Sequence, residues 1–316
     1  MSTKDYKALR IVFMGTPEFA VASLDALVRE GCTIAAVVTA PDKPAGRGMK
    51  LTESAVKKYA LQKGLKVLQP EKLKNPQFLD TLREVQADIQ VVVAFRMLPE
   101  VVWNMPPMGT VNVHGSLLPQ YRGAAPINWA LINGEKMTGV TTFKLRHEID
   151  TGDILLQDKI VISEDETAGE LHDVMKEAGA SLLVKTIKGL ADGTLHPMEQ
   201  SQMLPASGME VRHAPKLFTD TCRIDWNRPV QEVHNLIRGL SPFPGAFSFL
   251  NQKVLKIYRS EKQLIAHEQP AGTMETDKKS YLKFACTDGY ILIRELQLEG
   301  KKRMSVTDFL KGYRFE

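Results

Sequence analysis

Apolar residues come in short unbroken runs through the first half of the chain. "RIVFMG", "TIAAVVTA", "KVLQP", "DIQVVVAF" and "GTVNVHG" have the length of strands, and continuous apolar runs of that length read as strands buried on both faces. Between them, "PEFAVASLDALVREG", "ESAVKKYALQKG" and "PQFLDTLREVQ" repeat their apolar positions with helical spacing. The first of these has Pro17 near its start and Gly31 at its end, where a helix accepts each residue. Alternation of strand and helix predicts an α/β fold: a Rossmann-like, doubly wound, mostly parallel sheet with helices on both faces. A long amphipathic helix is predicted over about 166–190.

The pattern then changes. Residues 194–212 hold Gly, Pro and Ser with no periodicity and are expected to be a linker. The expected division is therefore a domain at 1–193 and a second at 213–316. In the second, "FSFLNQKVLKIYRS" and "SYLKFACTDGYILIRELQLEG" read as short strands around turns such as Asp288-Gly289. Val233, Leu236, Ile237 and Leu240 are spaced as one buried helical face, and Ser305 or Thr307 opens a last short helix. A smaller OB-like β-barrel is the predicted form.

Composition narrows the class. The 316 residues suit two domains, and 43% apolar with 25% charged residues is ordinary for a globular chain. No apolar run is long enough to span a bilayer, so no membrane partner is expected. "MSTKDYKALRIVFMG" lacks the layout of a signal peptide, and a cytoplasmic location is the expectation. Cys32, Cys222 and Cys286 are far apart and read as small buried hydrophobes, and no His or Cys cluster has metal-ligand spacing. From residue 205 onward there are 18 Lys and Arg against 13 Asp and Glu, a net +5, while the rest nets −1. Excess positive charge confined to the tail favours a polyanionic partner such as a nucleic acid.

The polar positions that interrupt the pattern carry the candidate chemistry. "VFMGTPEF" follows the first strand where a dinucleotide-binding chain has three glycines, yet only Gly15 is present. No nucleotide cofactor is expected, and a tight turn accounts for Gly15. Asn112 and His114 lie two apart at the carboxyl end of a predicted buried strand, so their side chains share a face. Burying an unpartnered Asn and His costs about a few kcal/mol each, which calls for a reason. An amide donor beside an imidazole suits a carbonyl oxygen that gains negative charge. "RHEIDTGDILLQ" places Asp150 and Asp153 in a tight turn, and a carboxylate near His114 would orient it. "PDKPAGRGMKL" carries Lys43, Arg47 and Lys50 and reads either as a mobile surface loop or as a basic finger that orders on a phosphate backbone or base edge.

In their order, "FMGTPEFA", "PDKPAGRG", "NVHGSLLPQYRGAAPI", "TGVTTFKL", "DTGDIL", "APKL", "RIDW" and "PFPGA" resemble the methionyl-tRNA formyltransferase family over almost the whole chain. The central segment marks the wider family of 10-formyltetrahydrofolate-dependent formyltransferases. "PDKPAGRG" and the tail point to the tRNA-modifying members. The resemblance implies formyl transfer from 10-formyltetrahydrofolate to the α-amino group of initiator Met-tRNA; a monomer is expected, and the reaction needs no metal. It implies Asn112, His114 and Asp150 as the catalytic group. It places the folate site along Ser116, Leu117, Leu118 and Pro119 with Phe95 and Met97, and tRNA contact at the loop of Lys43, Arg47 and Lys50. Arg96 and Met97 stand where relatives commonly have a glycine and an aliphatic residue. Three other readings compete: a formyltransferase for an amino sugar or nucleotide amine, a non-catalytic RNA-binding protein, and a dinucleotide oxidoreductase. The basic loop and tail weigh against the first, the Asn-His-Asp set against the second, and the missing glycines against the third.

Overall fold

The computed structural model describes residues 5–45, 50–203 and 210–314, without the side chains of residues 45 and 50. The first half runs β1 (Arg10–Gly15), α1 (Glu18–Arg29), β2 (Thr33–Val38), β3 (Lys43–Ala45), β4 (Lys50–Thr52), α2 (Ala55–Gln62), β5 (Val67–Leu68), α3 (Pro76–Glu84), β6 (Ile89–Val93), α4 (Glu100–Trp103) and β7 (Thr110–His114). There follow β8 (Arg122–Gly123), α5 (Pro126–Ile132), β9 (Met137–Lys144), β10 (Ile154–Val161) and α6 (Ala168–Ala191). The predicted strands and helices of this half lie where the apolar runs put them. Helices α2 and α3 start at Ser54 and Asn75, whose side chains accept from backbone N–H groups of the first turn.

Seven strands form one sheet in the order β10-β9-β7-β6-β1-β2-β5. β5, β2, β1, β6 and β7 are parallel, and β9 runs antiparallel to β7. The sheet is thus the mostly parallel, Rossmann-like one that the alternation predicted. Strand order reverses between β1 and β6, and β6 and β7 end on the same edge of the sheet. In such sheets that carboxyl edge is where ligands bind. Val12, Met14, Ala36, Val38 and Val92 pack with Phe78, Leu82 and Val102 of α3 and α4 to cover one face. Gly15 marks a close approach: a Cβ there would lie 2.6 Å from that of Ala20. The tight-turn reading of Gly15 therefore stands.

The tail holds β11 (His213–Ala214), α7 (Val230–Gly239), β12 (Ala246–Leu250), β13 (Lys253–Leu264), β14 (Met274–Thr276), β15 (Leu282–Ala285), β16 (Gly289–Leu298), β17 (Met304–Ser305) and α8 (Val306–Gly312). Strands β12-β13-β16-β15-β14 form an antiparallel sheet with β17 on β16. Register shifts at residues 257–260 of β13 bend it, and the sheet is a half-barrel. Its core combines Leu255, Ile257, Phe284, Ile291 and Leu296 with Val233, Ile237 and Leu240 of α7. Ser305 caps α8.

Two features differ from the expectation. "PDKPAGRGMKL" is not all loop: among the described residues β3 pairs antiparallel with β4, Lys43 opposite Thr52. Tertiary packing also divides the chain differently from the linear boundaries 1–193 and 213–316. One compact unit is Met1–Arg122, Gly139–Ile160 and Asp173–His213; the other is Gly123–Thr138, Val161–His172 and Ala214–Glu316. Within the second unit, Asn128 of α5 donates to the Gly239 carbonyl at 2.7 Å, and Trp129 donates to the Pro215 carbonyl at 2.8 Å.

Candidate active site

β7 lies between β6 and β9, with Asn112 opposite Val92 and Phe143, and His114 opposite Thr141. Val111 and Val113 point into packed core, so the alternate positions Asn112 and His114 present one face. α6 passes close behind this strand: a Cβ on Gly179 would lie 3.1 Å from Val113 Cγ1. His114 is only 7% exposed and stands edge-on to buried Phe143. Its Nε2 lies 2.9 Å from the Tyr121 carbonyl oxygen. A carbonyl accepts only, so Nε2 carries the hydrogen, and Nδ1 is the nitrogen left to face the site.

Nδ1 looks across 3.8 Å at Oδ2 of Asp150, whose side chain is 11% exposed. That separation is too long for a hydrogen bond and short enough for a direct charge interaction. Asp150 comes from the corner between β9 and β10, with a positive φ of 55°. At Gly152 the chain is pressed so close that a Cβ would sit 1.6 Å from the Lys144 carbonyl oxygen. Only glycine permits that approach, which explains Gly152 in the Asp-Thr-Gly-Asp sequence. The Asn112 side chain is half-buried and makes no hydrogen bond to any described residue. Its amide is available to a ligand. Asp153 points elsewhere and pairs with Arg146 at 2.6 Å.

The loop after β7 is held from within. Ser116 donates to the Gln120 carbonyl at 2.6 Å, and Thr141 Oγ1 donates to the Ser116 carbonyl while accepting from the Leu118 N–H. Ser116, Leu118 and Pro119 are buried, whereas Leu117 is half-buried. After β6, Phe95 is half-buried and Met97 is 73% exposed. Arg96 binds the backbone, donating to the Glu71 carbonyl at 2.8 Å and to that of Pro70. Lys43 is exposed on β3, Lys50 begins β4, and Arg47 lies outside the described residues. Asp42, at the foot of β3, is fixed by Lys57 at 2.5 Å and by Gln69 at 2.8 Å. Those bonds hold the Asp42 carboxyl below the usual carboxylate range.

The structure thus brings His114 and Asp150 together across 36 residues of chain. It also reveals supporting residues that carry no signal in the sequence pattern: Tyr121, whose carbonyl orients His114, and Gln200, which donates to the carbonyls of Asp150 and Gly152 at 2.8 Å each. Every residue offers a backbone carbonyl, so nothing in the sequence marks which carbonyls a donor side chain will meet. Cys32, Cys222 and Cys286 are buried free thiols as expected, and burial pushes Cys286 up to about 12. Among the described residues no group of three or more His, Cys, Asp or Glu is arranged to hold a metal, and no helix is long and apolar enough to cross a membrane.

A Rossmann-like sheet with an amide, an imidazole and a carboxylate gathered at its carboxyl edge, followed by a basic half-barrel, defines a class. Residues 9–187 match the formyl transferase family and residues 216–314 match the formyl transferase C-terminal domain. The curated methionyl-tRNA formyltransferase of Parabacteroides distasonis is 54% identical over 97% of this chain and 96% of its own length; that of Bacteroides thetaiotaomicron is 52% identical over the same shares. The chain belongs to the formyl transferase family and, within it, to the methionyl-tRNA formyltransferases. Among solved structures, the fold is similar to the sugar 3N-formyl transferase WlaRD, solved in the presence of dTDP and 5-N-formyl-THF. The TM-score is 0.67 at 20% identity, over 93% of this chain and 99% of that one. It is also similar to HypX from Aquifex aeolicus in complex with tetrahydrofolic acid, with a TM-score of 0.64 at 18% identity, over 96% of this chain and 48% of that one.

Proposed function

We propose that this chain transfers the formyl group of 10-formyltetrahydrofolate to the α-amino group of initiator Met-tRNA, using Asn112, His114 and Asp150 as the reacting side chains. The observation that carries this reading is the buried Nδ1–carboxylate approach of 3.8 Å beside an amide with no hydrogen-bond partner among the described residues.

The chemistry requires a home for one negative charge and one proton. As the amine nitrogen bonds to the formyl carbon, the formyl oxygen becomes negative, and the Asn112 amide donates to it. One such donor is worth ~2.7–4 kcal/mol. With Nε2 held by the Tyr121 carbonyl, Nδ1 faces the Asp150 carboxyl across a gap of 3.8 Å. The proton shed by the attacking nitrogen fills that gap: Nδ1 takes it, Asp150 balances the imidazolium, and Nδ1–H becomes a second donor. Deprotonating an α-ammonium of pKa about 8 costs only ~1.4 kcal/mol at pH 7. The pair therefore acts chiefly after attack, when the nitrogen has become acidic. The same proton is then returned to N10 as the bond from carbon to N10 breaks, giving N-formylmethionyl-tRNA and tetrahydrofolate. General-base help of this kind is typically worth ~10²–10⁴-fold.

Phe95, Met97 and Leu117 present apolar surface at the carboxyl edge suited to a folate ring, with Ser116, Leu118 and Pro119 as the rigid backing of that wall. Lys43, Arg47 and Lys50 belong to the basic segment of sequence that meets the tRNA, and the chain works as a monomer. The test supplies formyl-labelled donor with initiator Met-tRNA, elongator Met-tRNA or a nucleotide-linked amino sugar. Label on initiator methionine, with stoichiometric tetrahydrofolate and a monomeric enzyme mass, is expected. Label on the amino sugar alone would overturn the proposal.

A further inference from the structure

The connector after α6 shows no pattern in sequence, yet its described residues grip the site. Met198 and Ile154 exchange backbone hydrogen bonds of 2.8 Å in both directions, so the connector is zipped to the first residue of β10. Two residues on, Gln200 is 4% exposed, and its side chain is fully engaged. Nε2 donates to the Asp150 and Gly152 carbonyls, both at 2.8 Å, and Oε1 accepts from Arg122 Nε at 3.0 Å and Nη2 at 2.6 Å. Carbonyls only accept and guanidinium only donates, so this amide has a single workable orientation. Further along, the Arg212 carbonyl accepts from the Tyr121 N–H at 2.7 Å, and the Arg212 N–H donates to Gln120 Oε1 at 2.9 Å. Tyr121 is the residue whose carbonyl holds His114 Nε2.

We infer that the described residues of the connector form a positioning element of the active site and that Gln200 is the positioning residue for Asp150, with Arg122 locking Gln200 in the productive orientation. This inference rests on the roles proposed for His114 and Asp150. The physical reason is strain. Asp150 has a positive φ, a left-handed backbone state that a non-glycine residue holds where the surroundings impose it. Gln200 supplies that constraint by tying both carbonyls of the corner to one side chain. Released, the corner relaxes and the carboxylate leaves its place opposite Nδ1. Misplacement by about 1 Å costs on the order of 10²-fold in rate.

A double-mutant cycle in full-length protein tests this, using Gln200→Leu, which keeps bulk and loses the amide, with Asp150→Asn. Gln200→Leu is expected to lower kcat about 10²-fold while KM for Met-tRNA and for the folate donor stays within about twofold. In the Asp150→Asn background the same change should lower kcat by less than about threefold, because it acts through that carboxylate. Arg122→Met should give part of the Gln200→Leu effect, and Gln200→Glu should not rescue, since it turns an acceptor toward two carbonyls. Circular dichroism and thermal unfolding show that each variant is folded; should Gln200→Leu fail to fold, Arg122→Met carries the same cycle. Equal losses in both backgrounds would overturn the inference, as would an unchanged kcat in Gln200→Leu. Wild-type turnover by Asp150→Asn would instead overturn the catalytic role on which it rests.

Discussion

Asn112 presents an amide that the fold does not use: it makes no hydrogen bond to a described residue and stands half-buried in the middle of a buried strand. Removing it should therefore separate activity from stability. Asn112→Ala is expected to lower kcat by about 10²–10³-fold and to change stability by less than about 1 kcal/mol. Steady-state kinetics and urea unfolding check the two halves of that statement, and a large stability loss would reassign Asn112 to the scaffold. At this scale the strand-borne pair was legible in sequence, because a period of two puts Asn112 and His114 on one face. Asp150 was not legible from pattern. Its approach to His114 depends on the β9–β10 corner, and only resemblance pointed to it. The tautomer of His114 was also hidden, because the Tyr121 carbonyl that sets it is backbone.

Elements explain where polar side chains are held under cover. On α7, His234 is buried, with Nδ1 at 3.0 Å from Ser260 Oγ on β13. Its Nε2 lies 3.1 Å from Asp165 Oδ1 but is not aligned for a hydrogen bond. Burial, with Lys262 nearby, outweighs the attraction of Asp165 and pushes His234 down to about 4. The native state then binds fewer protons than the unfolded state between the ordinary value of 6.5 and about 4. Stability from this residue is complete above that window and falls as pH drops through it. Between about pH 7 and about pH 5 the loss should be on the order of 2 kcal/mol. Urea unfolding of wild type against His234→Phe checks this: the wild type should lose more over that interval, and parallel losses would contradict it. Helices and strands of the α/β half were readable because burial on both faces leaves unbroken apolar runs. The β3–β4 hairpin and the connector were not. The hairpin strands are three residues long, and the described residues of the connector are fixed largely by bonds to carbonyls, which impose no hydrophobic period.

For the whole molecule, the tail's positive charge is partly neutralised within its own unit. Lys262 pairs with Glu164 at 2.5 Å, Arg303 with Glu295 at 2.5 Å, and Arg259 with Glu170. Lys253, Lys279, Lys301 and Lys302 are exposed and make no ion pair with a described residue. Replacing Lys301 and Lys302 by Ala is expected to weaken Met-tRNA binding and to reduce the slope of log affinity against log salt by about 0.7–0.9 for each phosphate no longer neutralised. Filter binding over a salt series measures it, and an unchanged slope would place the tRNA elsewhere. Charge replacement is a cleaner probe than removing residues 213–316, because α5 and residues 161–172 belong to the same compact unit as the tail. Cutting there would strip Asn128 and Trp129 of their partners. Linear reading of composition found the basic tail but not those two returning segments, since tertiary packing alone assigns them. The central claim is that formyl transfer to Met-tRNA takes place between Asn112, His114 and Asp150. Its most direct measurement is the single-turnover rate at which labelled formyl appears on methionyl-tRNA with wild type and with Asp150→Asn. The account predicts transfer by the wild type and a rate lower by about 10²–10⁴-fold in the variant; equal rates, or no label on methionine with the wild type, would contradict it.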